Sequence, residues 1–84
     1  MKLKQQAEAI ASWQEFSAFL RALQQDLQQN PAQWENDDLS CYLGAMAAWV
    51  GDMEGYYAQR GEGVPGAGGW QALATIMLAA RVYE

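Results

Sequence analysis

The feature that most constrains this chain is a stripe of large apolar side chains: Leu39, Tyr42, Leu43, Met46, Trp49, Val50, Met53, Tyr56 and Tyr57, recurring every three or four positions. Only a helix, at about 3.6 residues per turn, gathers that spacing onto one side; a strand would scatter it over both faces. The pattern predicts a helix over 37–59, capped by Asn36 or Asp37, with acids in its first turn meeting the positive end of the dipole. On the opposite side of this helix fall Gly44, Ala48, Gly51 and Gly55. Each interior glycine costs about 0.5–1 kcal/mol relative to alanine. A strip that flat implies that something comes close to it. The candidates are another segment of this chain, such as the N-terminal arm or the glycine loop, or a partner approaching between Asp52 and Glu54.

Two more helices are legible. Ser12 followed by Glu15 forms a capping box, in which hydroxyl and carboxylate satisfy amides at a helix start. Beyond it Trp13, Phe16, Leu20, Leu23 and Leu27 predict a helix over 13–29, stopped by Asn30 and Pro31. A short turn over 32–35 then brings Trp34 back toward the core. Trp70, Leu73, Ile76, Met77, Ala80 and Tyr83 predict a last helix over 70–83. Leu78 and Val82 point away from that face and mark a candidate contact surface. The run "RGEGVPGAGG", residues 60–69, reads as a flexible loop. Residues 1–11 either add a partial helical turn around Leu3, Ala7 and Ile10 or fray. The expected fold is all-α, one domain over 1–84. It is a three-helix bundle, or a four-helix one if the N-terminal residues join it, with the glycine-rich loop before the last helix.

The residue inventory excludes most chemistry. There is no histidine, the commonest general base and metal ligand near neutral pH. Cys41 is the single cysteine, so no intramolecular disulfide forms, and Asp37 and Asp38 nearby raise its thiol pKa rather than activate it. Neighbouring acids, Asp37 with Asp38 or Asp52 with Glu54, point in different directions on a helix, so no catalytic pair is expected. Calcium-loop spacing is absent, which leaves no metal site. Gly61 to Gly66 spell G-x-G-x-x-G, but the string follows a helix instead of a strand, contains Pro65 and carries Glu62, which would repel phosphate. No cofactor is expected.

The opening "MKLKQQAEAI" lacks the apolar stretch of a secretory signal. The longest apolar run, Tyr42 to Val50, is far short of the ~20 residues that span a bilayer. A cytoplasmic protein is the expectation. Net charge is -5, and no Lys or Arg occurs between Arg21 and Arg60, where Asp26, Glu35, Asp37, Asp38, Asp52 and Glu54 all fall. A field of that sign repels nucleic acid and anionic membranes and draws basic partners.

The segments "WEN" at Trp34 to Asn36, "YLGAMAAWVGDMEGYY" at Tyr42 to Tyr57 and "LAARVYE" at Leu78 to Glu84 resemble DUF7660, a family of small bacterial proteins. "EFSAFLRALQQDL", Glu15 to Leu27, is similar too, so the resemblance covers most of the chain. Where the family's segments "LEAMAAW" and "EDMDGYY" carry glutamate, this chain has Gly44 and Gly51. The resemblance implies a bacterial origin and a helical fold, and no activity.

Small size, missing catalytic groups, an acidic middle and exposed-aromatic candidates lead to one functional expectation. It is a non-enzymatic acidic inhibitor of a basic protein partner, foremost an immunity protein neutralising a bacterial toxin by occlusion. Asp37, Asp38, Asp52 and Glu54 would steer the partner, and Tyr56 and Tyr57, with Trp49, would anchor it. Gly51 and Gly55 would offer the flat approach, and Leu78 and Val82 an apolar contact. The alternatives are a phage-encoded inhibitor of a host defence complex that imitates nucleic acid, and a homo-oligomeric structural domain.

Overall fold

A computed structural model describes residues 2–63 and 67–83. These are all-α: α1 (Lys2–Glu8), α2 (Trp13–Gln29), a 3-10 turn (Pro31–Gln33), α3 (Leu39–Gln59) and α4 (Ala67–Ala80). The chain divides into two compact units, Met1–Ala45 and Met46–Glu84, and α3 contributes to both. Val64, Pro65 and Gly66 of the glycine run lie outside the described residues.

In the first unit α1 contacts α2. Helix α1 is a full element rather than a partial turn; Leu3 and Gln6 are its half-buried positions, with Gln6 in place of Ala7, and Ile10, half-buried too, lies beyond its end. Helix α2 begins and ends where the capping box and the Asn30-Pro31 stop place it. The Glu15 amide donates to Ser12 Oγ at 3.1 Å, and Glu15 Oε1 reaches back to accept the Ala11 amide at 2.8 Å. The first bond satisfies an orphan amide of the helix start, and the second ties down the amide of Ala11, one residue before the Ser12 cap.

The inward side of α2 is rotated from the predicted stripe. Phe16, Phe19, Ala22, Leu23, Asp26 and Leu27 are half-buried, whereas Trp13 is 76% and Leu20 43% exposed. Trp13 occupies the first helical position. The rotation carries Asp26 inward, and its partners explain how a carboxylate is tolerated there. Asp26 Oδ2 accepts the Trp34 indole N–H at 2.8 Å and Oδ1 accepts the Asn30 side-chain amide at 3.1 Å. Trp34 in turn stacks on Tyr42, with centroids 5.9 Å apart and planes at 28°. A side chain from α2 thus holds the edge of the indole and one from α3 a face, and Trp34, half-buried, returns toward the core as the sequence implies.

Helix α3 starts two residues later than expected because Asp38 caps it, not Asn36 or Asp37. Asp38 Oδ1 accepts the Cys41 amide at 2.8 Å, and its carbonyl accepts the Tyr42 amide at 2.9 Å. The helix ends in a Schellman motif around Gly61, whose φ is +72°. The Glu62 amide donates to the Tyr57 carbonyl at 2.9 Å and the Gly61 amide to Ala58 at 3.1 Å. That pair of bonds requires a left-handed residue at Gly61. The first glycine of the G-x-G-x-x-G string is therefore a helix stop.

Helix α4 is displaced toward the N-terminus from its expected span. It takes in Ala67, Gly68 and Gly69 and stops at Ala80 instead of Tyr83. Glycine's penalty of about 1 kcal/mol per position is small enough for the following apolar run to override. At the other end the Arg81 side chain donates to the Leu78 carbonyl at 3.1 Å, and a cation at that end also suits the dipole. Among the described residues no helix is long and apolar enough to cross a membrane.

Candidate functional site

The acidic and aromatic candidates on the second half of α3 occupy defined sectors of the helix. Met53 is the buried residue of this helix, at 9% exposure, and marks its inward direction. At about 100° per residue the centre of the Gly44, Ala48, Gly51 and Gly55 strip lies about 190° away from it, so the strip faces outward. A Cβ placed on Gly44, Gly51 or Gly55 would meet no heavy atom of the described residues within 4 Å. Of the two explanations for a flat helix back, close packing by another segment of the chain is not found among the described residues.

Asp52 and Glu54 are both exposed and border this strip on opposite sides. Asp52 falls between the strip and the aromatic residues Trp49 and Tyr56, while Glu54 falls toward Val50. The two carboxylates are about 160° apart around the helix and act as separate charges, not as a pair.

Next to Asp52 lies the aromatic cluster. Trp49 and Tyr56 have ring centroids 5.4 Å apart at 58°, and Tyr57 meets Trp49 at 6.4 Å and Tyr56 at 5.1 Å, both edge-on. Spacings of this kind sit in the attractive range for aromatic pairs and hold the rings in place without a core around them. Trp49 is 49% and Tyr56 42% exposed, whereas Tyr57 is half-buried. The cluster therefore presents Trp49 and Tyr56 outward. Arg60 closes its C-terminal side: its guanidinium carbon lies 5.5 Å from the Tyr56 ring centroid, Nη1 donates to the Tyr56 hydroxyl at 3.3 Å, and Nε pairs with Glu62 at 3.3 Å. The sequence treats Arg60 only as the end of the acidic span. A cation four residues after a tyrosine on one helix face is the signal that would have placed it.

The remaining candidates stand elsewhere. Asp37 and Asp38 are exposed and belong to the first unit, and Asp38 is engaged as the α3 cap. Accepting the Cys41 amide holds the Asp38 carboxyl below its ordinary value, and Asp38 in turn pushes the exposed Cys41 thiol upward, so the cysteine is deactivated as expected. Leu78 on α4 and Val82 just beyond it are 59% and 77% exposed. No group of three or more His, Cys, Asp or Glu side chains arranged to hold a metal occurs among the described residues.

Comparison with known proteins places the chain by family alone. No curated protein and no solved structure matches it. A family model does, over residues 12–84, from the capping box of α2 to the last residue, and the chain belongs to that family of unknown function, DUF7660.

Proposed function

We propose that this protein is a non-enzymatic acidic inhibitor that binds a basic protein, an immunity protein that neutralises a bacterial toxin by covering its working surface. The observation that carries this reading is the ordered aromatic pair Trp49 and Tyr56, exposed beside Asp52 and the open Gly51 and Gly55 backbone. Tryptophan and tyrosine dominate the energetic centres of protein interfaces. Rings already held against each other lose little further freedom when a partner covers them. Asp52 and Glu54, with Asp37 and Asp38 on the first unit, add the negative field that speeds encounter with a basic surface. Bare glycine backbone next to the rings lets a partner approach closely. An inhibitor that works by occlusion needs no catalytic group, in keeping with a chain that lacks histidine.

The test is capture of the partner from the native host, followed by co-expression of the two. A basic protein should be recovered, and this chain should restore growth of cells making it. Replacing Trp49 and Tyr56 by alanine should weaken binding by about 2 kcal/mol or more and abolish the rescue. Reversing Asp52 and Glu54 to lysine should slow association most at low salt. An acidic partner, or rescue that survives loss of both rings, would sink the reading.

A further inference from the structure

We infer that the Trp49 half of the aromatic cluster grips an arginine side chain of the protein partner, with the guanidinium lying against the indole and paired with Asp52. The second unit already contains one such grip, made with a residue of its own. The Arg60 guanidinium carbon lies 5.5 Å from the centre of the Tyr56 ring while its Nε pairs with Glu62 at 3.3 Å. A ring and a carboxylate together thus hold a guanidinium at an exposed end of α3.

Trp49 and Asp52 repeat that combination further up the helix. Asp52 stands three residues after Trp49 and four before Tyr56, the two spacings that make side chains neighbours on a helix surface. Both rings are exposed, and of the aromatic side chains indole attracts a cation most strongly. The two settings differ in the counter-ion. Glu62 has Arg60, whereas Asp52 takes part in no hydrogen bond or ion pair among the described residues. Room for a cation comes from the other flank of Asp52, where Ala48 and Gly55 stand one turn away on either side and a Cβ on Gly55 would meet nothing within 4 Å. Arginine suits this place better than lysine. A guanidinium is planar and weakly hydrated, so it lies on a ring and still directs N–H groups in its plane at a carboxylate, while an ammonium is a strongly hydrated point charge. The inference rests on the reading of this chain as a binder of a basic protein, and it names the side chain that enters the centre of the interface.

The probe is N-acetylarginine N-methylamide, titrated at low salt into the full, isotopically labelled chain while NMR follows the indole N–H resonances. That of Trp49 should move saturably, with a dissociation constant on the order of 10 mM. Trp13 is the internal control: it is more exposed than Trp49 but has no acid three or four positions away, and its resonance should stay in place. The citrulline analogue, alike in shape but uncharged, should bind at least about tenfold more weakly, and the lysine analogue several-fold more weakly. Asp52→Asn should weaken the arginine probe about fivefold. Glu54→Gln removes the same charge from the far side of the glycine strip and should change binding less than about twofold, which separates a paired carboxylate from general attraction to an acidic chain. Both acids are exposed, so neither substitution threatens the fold. An equal response at Trp13, citrulline or lysine binding as well as arginine, or equal effects of the two neutralised acids would each overturn the inference. A basic partner captured through Trp49 and Tyr56 without any arginine response at Trp49 would overturn it too and leave the inhibitor reading standing. An arginine response with no basic partner to capture would uphold the grip and overturn that reading instead.

Discussion

The indole N–H of Trp34 donates to the Asp26 carboxylate across 2.8 Å, and this bond joins α2 to the segment that leads into α3. The same carboxylate also takes the Asn30 side chain, and a face of the indole stacks on Tyr42. Asp26→Ala should therefore leave two donors unsatisfied in a partly covered place. A loss of about 1–2 kcal/mol is expected, or a fall in Tm of several degrees, since about 1 kcal/mol moves a domain of this size by ~4–8 °C. A double-mutant cycle with Trp34→Phe should return a coupling of about 0.5–1.5 kcal/mol. Additive effects would mean that the bond contributes nothing.

The capping box gives an independent estimate of how much α2 matters. Ser12→Ala removes the acceptor of the Glu15 amide and should cost about 1 kcal/mol in urea unfolding. Glu15→Ala removes the acceptor of the Ala11 amide. Because serine and glutamate also contact each other at 3.3 Å, the double variant should lose less than the sum of the two.

These two relationships differ in how far the sequence shows them. The capping box is local: serine and glutamate three apart before an apolar periodicity suffice to place the start of α2. The Asp26 to Trp34 bond depends on which way α2 faces, and periodicity fixes that direction only to within a side chain or so. Trp13 and Leu20 were equally eligible for the inward face, and the tertiary contacts chose Phe19 and Asp26 instead. A clue was present, because Asp26, Asn30 and Trp34 stand four apart and a carboxylate there suits two donors. Helix ends were legible where a residue type dictates them and were missed where several candidates stood in line. Asn36, Asp37 and Asp38 can all cap, and the choice fell to the last. In the glycine run, composition hid two structured features, the Gly61 stop of α3 and the first turn of α4. The outward strip on α3 was legible from spacing alone. What approaches it was not, because a flat surface specifies closeness and no chemistry.

The Asp38 cap should be visible in the reactivity of Cys41. With the Asp38 carboxylate pushing its thiol above the ordinary cysteine value, alkylation near neutral pH should be slower than for an unperturbed thiol, and Asp38→Asn should speed it. The same substitution has a signature in acid. Asp38 has its carboxyl lowered from 3.8 in the folded state, so the unfolded chain takes up the proton first. The stability it contributes is present above 3.8 and lost as pH falls through the lowered folded value. Asparagine still caps but does not titrate, so the variant should lose less stability in that acid window than the wild type. Identical alkylation rates and acid limbs would count against Asp38 as the cap.

Glycine substitutions on and just beyond α3 should act in opposite directions. At Gly51 and Gly55 the backbone is helical and a Cβ meets nothing, so alanine should stabilise the chain by about 0.5–1 kcal/mol at each position. At Gly61 there is equal space, but φ is +72°, and alanine there should cost about 1–2 kcal/mol because its Cβ strains the left-handed conformation. Thermal melts of the three variants distinguish a helix interior from a helix stop without any knowledge of function. Their consequence for function follows from the first pair. If the strip exists for a partner, Gly51→Ala with Gly55→Ala should give a protein that melts higher and binds more weakly, since two methyl groups would stand where the partner's surface closes on bare backbone. A variant that is more stable and binds equally well would show that the glycines serve nothing beyond the helix, and would move the partner's footprint onto Trp49, Asp52 and Tyr56 alone.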